Sequence, residues 1–519
     1  MAIVIEEKDR RVIPNWRPFN TTVLLGELST ANISPINRLH NLSIDSYVED
    51  YKSNKSIPFA SELISASLVN RITDNPVVHE AASFILKNSS ESTQSQQKIA
   101  KEVLLGTNNA EANHVSGLTN ITINELGACL QEKVFREKIH NLKQYVINFP
   151  YNVIAWVELS RCYSILGQEE QALRSMKVAV QLSPNNRYVI RCATRLFSHY
   201  GEIERAQHIL RHNDFIKKDP WLLSADIAVA TMQGRMSPFL KKGIELVDSN
   251  NYLPLSITEL SSSIATVYLL NGEIKKSRKM FAKALISPND NSDAQMEWAL
   301  KKERTLFDKS SLAINPQCNF EALTLSSFYN NNLIDALNHA CQWFCDMPFS
   351  KQPVILGSSI ADVLDNKQLS IAFLEKGIIS HPDDWQILNN LSYYYALSNQ
   401  LEAAKKYIGR INYQNITPSA HVCATATKGL ISFREKNYEA GRNLYLKAID
   451  ETSRIHNLEL NWIAILNYAR EEIIAKSEYI EDVMSLVSKI NPRNCPDIIV
   501  KKLYQEVEDL YKKYKMTSV

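Results

Sequence analysis

Apolar and small side chains recur at intervals of three and four residues along most of this chain, most clearly from Ala155 onward. Trp156, Leu159 and Tyr163 form one stripe, and Ala172, Met176 and Ala179 form a second, with Gly167 between them. That spacing puts each set on one face of a helix. The glycine supplies the positive φ that ends a helix without steric cost, and Pro184 stops the second helix. The pattern therefore predicts a helix hairpin over 155–184. Prolines carry the same period further: Pro150 and Pro184, Pro220 and Pro254, Pro254 and Pro288, and Pro348 and Pro382 are each 34 residues apart. Pro316, Pro418 and Pro492 fall off that spacing, so the register is expected to slip between blocks.

The template repeats. Ile190, Ala193, Phe197, Gly201, Ala206 and Leu210 follow the first unit, and Ile264, Ala265, Tyr268, Gly272, Phe281 and Ala284 lead to Pro288. Leu388, Leu391, Ser392, Tyr395, Ala404 and Ile408 make another copy, and Gly429, Tyr438, Gly441, Tyr445 and Ala448 one more. Weaker copies lie around 219–242, 322–348 and 358–382. A last helical pair is expected over 462–492 and a polar capping helix over 501–515.

A 34-residue helix–turn–helix unit of this kind resembles the tetratricopeptide repeat (TPR). The segment AWVELSRCYSILGQEEQALRSMKVAVQLSP matches position by position, with Ser160 where the family usually has glycine. The resemblance covers roughly 119–492, about ten repeats. It implies an all-α, right-handed superhelical solenoid whose concave groove is lined by the first helix of each hairpin. Three regions are expected: 1–118, partly helical with polar linkers; 119–492, the repeats; and 493–519, a capping helix and tail.

Before Thr119 the period disappears. Pro14, Pro18, Trp16 and Phe19 suggest an ordered, non-helical lead-in, and helical spacing over 57–69 and 77–86 predicts a small helical region. The polar runs from Asn88 and from Thr107 are expected to be loops.

Composition narrows the function classes. The 519 residues are 45% hydrophobic and 22% charged, with 58 Lys and Arg against 56 Asp and Glu. A net charge of +2 does not favour a nucleic-acid partner. The opening MAIVIEEKDRR lacks the order of a secretory signal, and no apolar run approaches membrane-spanning length, so a cytoplasmic protein is expected. Eight scattered cysteines without a CxxC pair suggest buried thiols of a reducing compartment.

Candidate chemistry is sparse. His79-Glu80-Ala81-Ala82-Ser83 lacks the second histidine of an HExxH zinc site. His339, Cys341, Cys345 and Asp346 offer metal-ligand types, yet they sit in the second-helix register where structural thiols are expected. No phosphate-cradling loop or nucleophile elbow occurs, so neither an enzyme nor a cofactor is expected.

The resemblance implies groove-facing roles for Arg161, Arg187, Arg191 and Arg195, which would gather guanidinium groups suited to a partner's acidic segment. Glu158 and Glu202 are the local carboxylates that could instead pair with them. Gln386, Asn389 and Tyr393 would line a later stretch of groove and suit a peptide backbone. The reading is a non-enzymatic scaffold for a protein or peptide, a regulatory or assembly subunit of the kind that accompanies effector enzymes in bacterial operons. The alternatives are an RNA-binding helical repeat and an enzyme with an N-terminal active site. Val229 breaks the basic code at the step after Arg195, which weighs against RNA.

Overall fold

The structure is a computed structural model that describes residues 16–17, 44–70, 75–105, 126, 132–249, 251–307, 319–492 and 498–518. Their secondary structure is helical throughout, apart from turns and short connections. Helices α1 (Ile44–Ser53), α2 (Ile57–Asn70), α3 (Pro76–Lys87) and α4 (Gln94–Leu105) bury their own core of Tyr51, Leu63, Val78, Ala81, Ile85 and Val103. The polar run from Asn88 is only partly a loop. Thr93 and Gln96 form a reciprocal cap, with Gln96 N donating to Thr93 Oγ1 at 3.2 Å and Thr93 N to Gln96 Oε1 at 2.8 Å, and α4 starts there. The run from Thr107 and most of the lead-in lie outside the described residues.

From residue 132 the chain is a stack of hairpins sharing one continuous core. A leading helix, α5 (Glu132–Asn148), is followed by α6/α7 (Val153–Ile165, Glu169–Leu182), α8/α9 (Arg187–His199, Ile203–Arg211), α10/α11 (Pro220–Met232, Leu240–Asp248) and α12/α13 (Pro254–Leu270, Ile274–Ala284). After α14 (Asp290–Lys302) come α15/α16 (Phe320–Tyr329, Leu333–Asp346), α17/α18 (Lys351–Val363, Lys367–Ser380), α19/α20 (Trp385–Leu397, Leu401–Ile408), α21/α22 (Pro418–Arg434, Tyr438–Arg454) and α23/α24 (Leu458–Ala475, Ile480–Val487). The last helix, α25 (Ile498–Ser518), packs on α23 and reaches back to α17. No helix among the described residues is long and apolar enough to cross a membrane.

The same local physics closes each hairpin. Acceptor side chains start several of the first helices: Asn152, Asn186, Asp219 and Asp384 each take backbone N–H groups of the turn they open. Ser160 Oγ donates to the Ala172 carbonyl and Ser392 Oγ to the Ala404 carbonyl, both at 2.8 Å, so a small hydroxyl ties helix to helix where the family uses glycine. Between the two helices one residue turns left-handed. In early hairpins it is Gly167, Gly201, Gly234 or Gly272; in later ones it is Asn331, Asp365, Asn399 or Lys436. The following N–H then reaches back to a helix carbonyl, as from Gln168 to Tyr163 at 2.9 Å and from Asn437 to Ser432 at 2.9 Å. A lysine at φ 65° carries a Cβ penalty that glycine lacks. Lys436→Gly is therefore expected to raise the unfolding free energy by about 1 kcal/mol, read as a higher urea midpoint. An unchanged or lower midpoint would mean that the lysine side chain offsets its own strain.

Trp156 is only half-buried, its indole N–H donating to the Pro150 carbonyl at 2.8 Å, whereas Leu159 and Tyr163 fill the interior as their positions imply. Four described cysteines, Cys162, Cys192, Cys341 and Cys423, are free and buried, and burial pushes Cys162 up to about 11 and Cys423 up to about 12. Cys345 departs from the expected set of thiols, being exposed and disulfide-bonded.

The stack curls back on itself. The turn after α6 abuts the end of α18: a Cβ on Gly167 would lie 2.4 Å from the Ile379 carbonyl oxygen and 3.4 Å from Pro382. The first hairpin of the stack thus touches one several hairpins further on, and residues reaching across from intervening hairpins meet inside that turn.

Candidate functional site

Phe349, in the short link between α16 and α17, is the hub inside the turn. The Arg195 guanidinium, from α8, lies 5.4 Å from its ring centre, and the His199 ring, one helical turn further along α8, meets it edge-on at 5.5 Å. His199 also faces His381, 4.8 Å away between ring centres, and His381 Nε2–H donates to the Phe349 carbonyl at 2.9 Å. Burial holds both imidazoles neutral. His381 is lowered to about 4, and His199 falls well below its ordinary value, with His381 and Arg195 adding to the effect.

The third face of Phe349 is covered by a residue from far upstream. Trp16 stacks edge-on against it at 5.6 Å and is 1% exposed. Its neighbour Arg17 is equally enclosed. Arg17 Nε lies 2.8 and 2.7 Å from the two Asp346 carboxylate oxygens, at the end of α16, and Nη1 lies 2.6 Å from Asp290, at the start of α14. One guanidinium thus bridges two carboxylates from different hairpins with the forked geometry that a planar donor array permits. Burial holds the Asp346 carboxyl above the usual carboxylate range even with Arg17 beside it, and the nearby Asp290 charge pushes the same way.

Of the four arginines singled out from the sequence, Arg161 lies on α6 and Arg187, Arg191 and Arg195 on α8, and three are enclosed and answered by carboxylates of the chain itself. Arg161 pairs with Glu158 on α6. Arg187 Nε meets Asp219 Oδ2 at 2.6 Å, while the other oxygen of Asp219 caps α10. Arg191 sits between the Trp221 ring, 4.8 Å away, and Glu259 of α12, with an Nη1–Oε2 distance of 2.9 Å and both side chains at most 3% exposed. Asn289 also donates to Glu259, at 2.8 Å. Arg195 is the one of the four that is not buried. The electropositive wall expected for an acidic segment is in this way largely neutralised from within.

Gln386, Asn389 and Tyr393 lie inside the stack too. Asn389 accepts from Thr427 at 2.9 Å and donates to Asn390 at 3.1 Å. Tyr393 donates to Asn467 at 2.9 Å and accepts from Arg470 at 3.2 Å, beside a cavity of about 60 Å³ bordered by Asp362, Lys502 and Glu506. Burial pushes the Tyr393 hydroxyl up to about 12. These groups join hairpin to hairpin. Gln386 is buried alongside them.

The metal-ligand types seen in the sequence are otherwise engaged. Asp346 is held by Arg17, Cys345 by its disulfide, His339 lies 3.2 Å from Gln342, and Glu80 pairs with Lys55. No group of three or more His, Cys, Asp and Glu side chains converges among the described residues. Arg17, Glu259, Asp290 and Phe349 were not singled out from the sequence, and Trp16 only as part of an ordered lead-in. The available signal was a single carboxylate in a small and apolar helix, as in SITELSSSIA around Glu259, because a buried charge needs a partner.

The tetratricopeptide repeat model matches residues 153–186, the α6/α7 hairpin. No curated protein matches the chain. Two solved structures align along most of it at 12% identity: the crystal structure of yeast Tom70, over 92% of this chain and 96% of that one with a TM-score of 0.31, and the APC/C hetero-tetramer Cut9-Hcn1, over 93% and 99% with a TM-score of 0.32. The assignment of the hairpins rests instead on the matched repeat and on the caps, left-handed turns and helix-to-helix hydroxyl bonds that recur after it. The family model thus places a tetratricopeptide repeat at 153–186, and comparable helix hairpins carry the chain on as an all-α helical-repeat stack.

Proposed function

We propose that this chain is a non-enzymatic adaptor that holds a segment of a protein partner inside the turn of its stack, as a regulatory or assembly subunit in a cytoplasmic complex. The observation that carries this reading is the convergence of side chains from non-adjacent hairpins on Phe349, with Arg195 at its border. A wall made by several hairpins at once can grip an extended segment, and affinity there comes from a few aromatic and arginine anchors. Nothing in that wall is arranged as a nucleophile with its base, since both histidines lack a hydroxyl or thiol partner at hydrogen-bonding distance in the contacts described above.

The reading is tested at Arg195, the half-buried arginine at the border of the wall. Affinity capture from the native host, compared between the wild-type chain and Arg195→Glu, should show a protein that co-purifies in fixed proportion with the first and is lost from the second. The variant must keep its helical circular dichroism. Partners retained unchanged would place the binding surface elsewhere and overturn this assignment of the wall.

A further inference from the structure

The wall around Phe349 is already filled by two residues of the chain itself, and their chemistry indicates what the wall selects. Trp16 contributes an aromatic face, and Arg17 contributes a planar cation to two carboxylates carried by α14 and α16. Neither residue belongs to the repeat array by sequence: the nearest described residue after them is Ile44. They have no helical structure. Pro18 follows directly and disfavours the helical region for Arg17, so the pair is biased towards extended conformations before it docks. The indole N–H of Trp16 has no hydrogen-bond partner, so the socket recognises the ring and not its donor.

We propose that Phe349, Asp290 and Asp346 form a socket for an aromatic–arginine pair, occupied in this structure by the chain's own Trp16–Arg17 and taken over by a partner segment that carries the same pair. This rests on the adaptor reading and names the partner's chemistry at this point of the wall: an aromatic ring beside a cation. Complementarity of charge supports it. A ligand without a cation would remove the fork that joins Asp346 to Asp290 and leave two like charges side by side in an enclosed space, which is unfavourable. The N-terminal pair keeps those carboxylates answered until a partner arrives.

The test uses the full chain carrying Trp16→Ala and Arg17→Ala together, and a fluorescently labelled peptide of residues 11–20, RVIPNWRPFN. Anisotropy titration should show the peptide binding the variant at least tenfold tighter than the intact chain, whose socket is occupied. The peptide should also raise the variant's melting temperature. A peptide with glutamate in place of its arginine should do neither. If the double variant loses its helical circular dichroism, Trp16→Leu in the full chain provides the same comparison with less disturbance. Equal binding to intact and variant chains, or no binding to a folded variant, would overturn the proposal and make Trp16–Arg17 a fixed part of the fold. Concentration-dependent dimerisation of the intact chain without peptide would replace the partner by a second copy. Loss of a partner in Arg195→Glu without any peptide binding would leave the adaptor reading standing and remove only the aromatic–arginine preference.

Discussion

Glu259→Leu is expected to destabilise the α8 to α12 part of the stack by about 3–5 kcal/mol. The reason lies in the desolvation of its partner. Arg191 and Glu259 come from non-adjacent helices, and each side chain is at most 3% exposed. Leucine in place of glutamate leaves a guanidinium buried against Trp221 without the carboxylate that faces it. Replacing both partners, as Arg191→Met with Glu259→Leu, should recover most of the loss, because an enclosed ion pair offsets little more than its own desolvation. In a stack where hairpins contact mainly their neighbours, the loss should be local, and amide hydrogen exchange over 187–270 is the measurement that sees it. If the single variant exchanged like the wild type, the pair would not be buried as described. If the double variant were as unstable as the single, the interaction would contribute through more than the cancellation of buried charge.

Acidification should weaken the turn around Phe349. An unfolded histidine binds its proton near pH 6.5, whereas burial lowers His381 to about 4 in the folded chain and pushes His199 well down as well. Between those limits the unfolded state holds more protons, so stability is complete above about pH 6.5 and falls as pH drops towards 4. His381 alone should remove about 2 kcal/mol between pH 7 and pH 5, with His199 acting in the same direction. The charged groups around the pair are Arg195 from α8, Lys351 from α17 and Asp384 at the start of α19; their charges are constant over this range, since Lys351 holds Asp384 below the usual carboxylate range even though burial opposes it. Urea midpoints measured from pH 7 to pH 5 should therefore fall steeply for the wild type and less steeply for His381→Gln, whose amide can still donate to the Phe349 carbonyl. Parallel slopes in the two proteins would exclude His381 as the titrating group.

Much of the fold was legible because hairpins announce themselves by period. The stripes at Trp156, Leu159 and Tyr163 and the glycines at 167, 201 and 272 are local signals, and the structure has helices and left-handed turns there. The copies around 322–348 and 358–382 are fainter, and at their turns Asn331 and Asp365 do the work of glycine. The cap at Thr93 was readable as a capping box three residues before Gln96, and the polarity of the run concealed it. The candidate site was harder. Spacing identifies which helix face an arginine occupies, but not whether a carboxylate 68 residues away will enclose it, as Glu259 does Arg191. Trp16 and Arg17 lie outside any periodic segment, so only the assembled turn brings them to Phe349, Asp290 and Asp346.

The contact between Gly167 and Ile379 makes the stack mechanically unlike an open spring. Tension applied to an unpinned solenoid spreads along every hairpin and draws the coil out gradually. Here the segment from α6 to α18 forms a closed loop of force, held where Gly167 meets Ile379 and where His199 meets His381 and Phe349, and it bears load as one unit until those contacts separate. The α19 to α24 hairpins are tied back in turn, because α25 packs on α23 and reaches α17, so a pull on the two ends meets a second closure before the C-terminal half can extend.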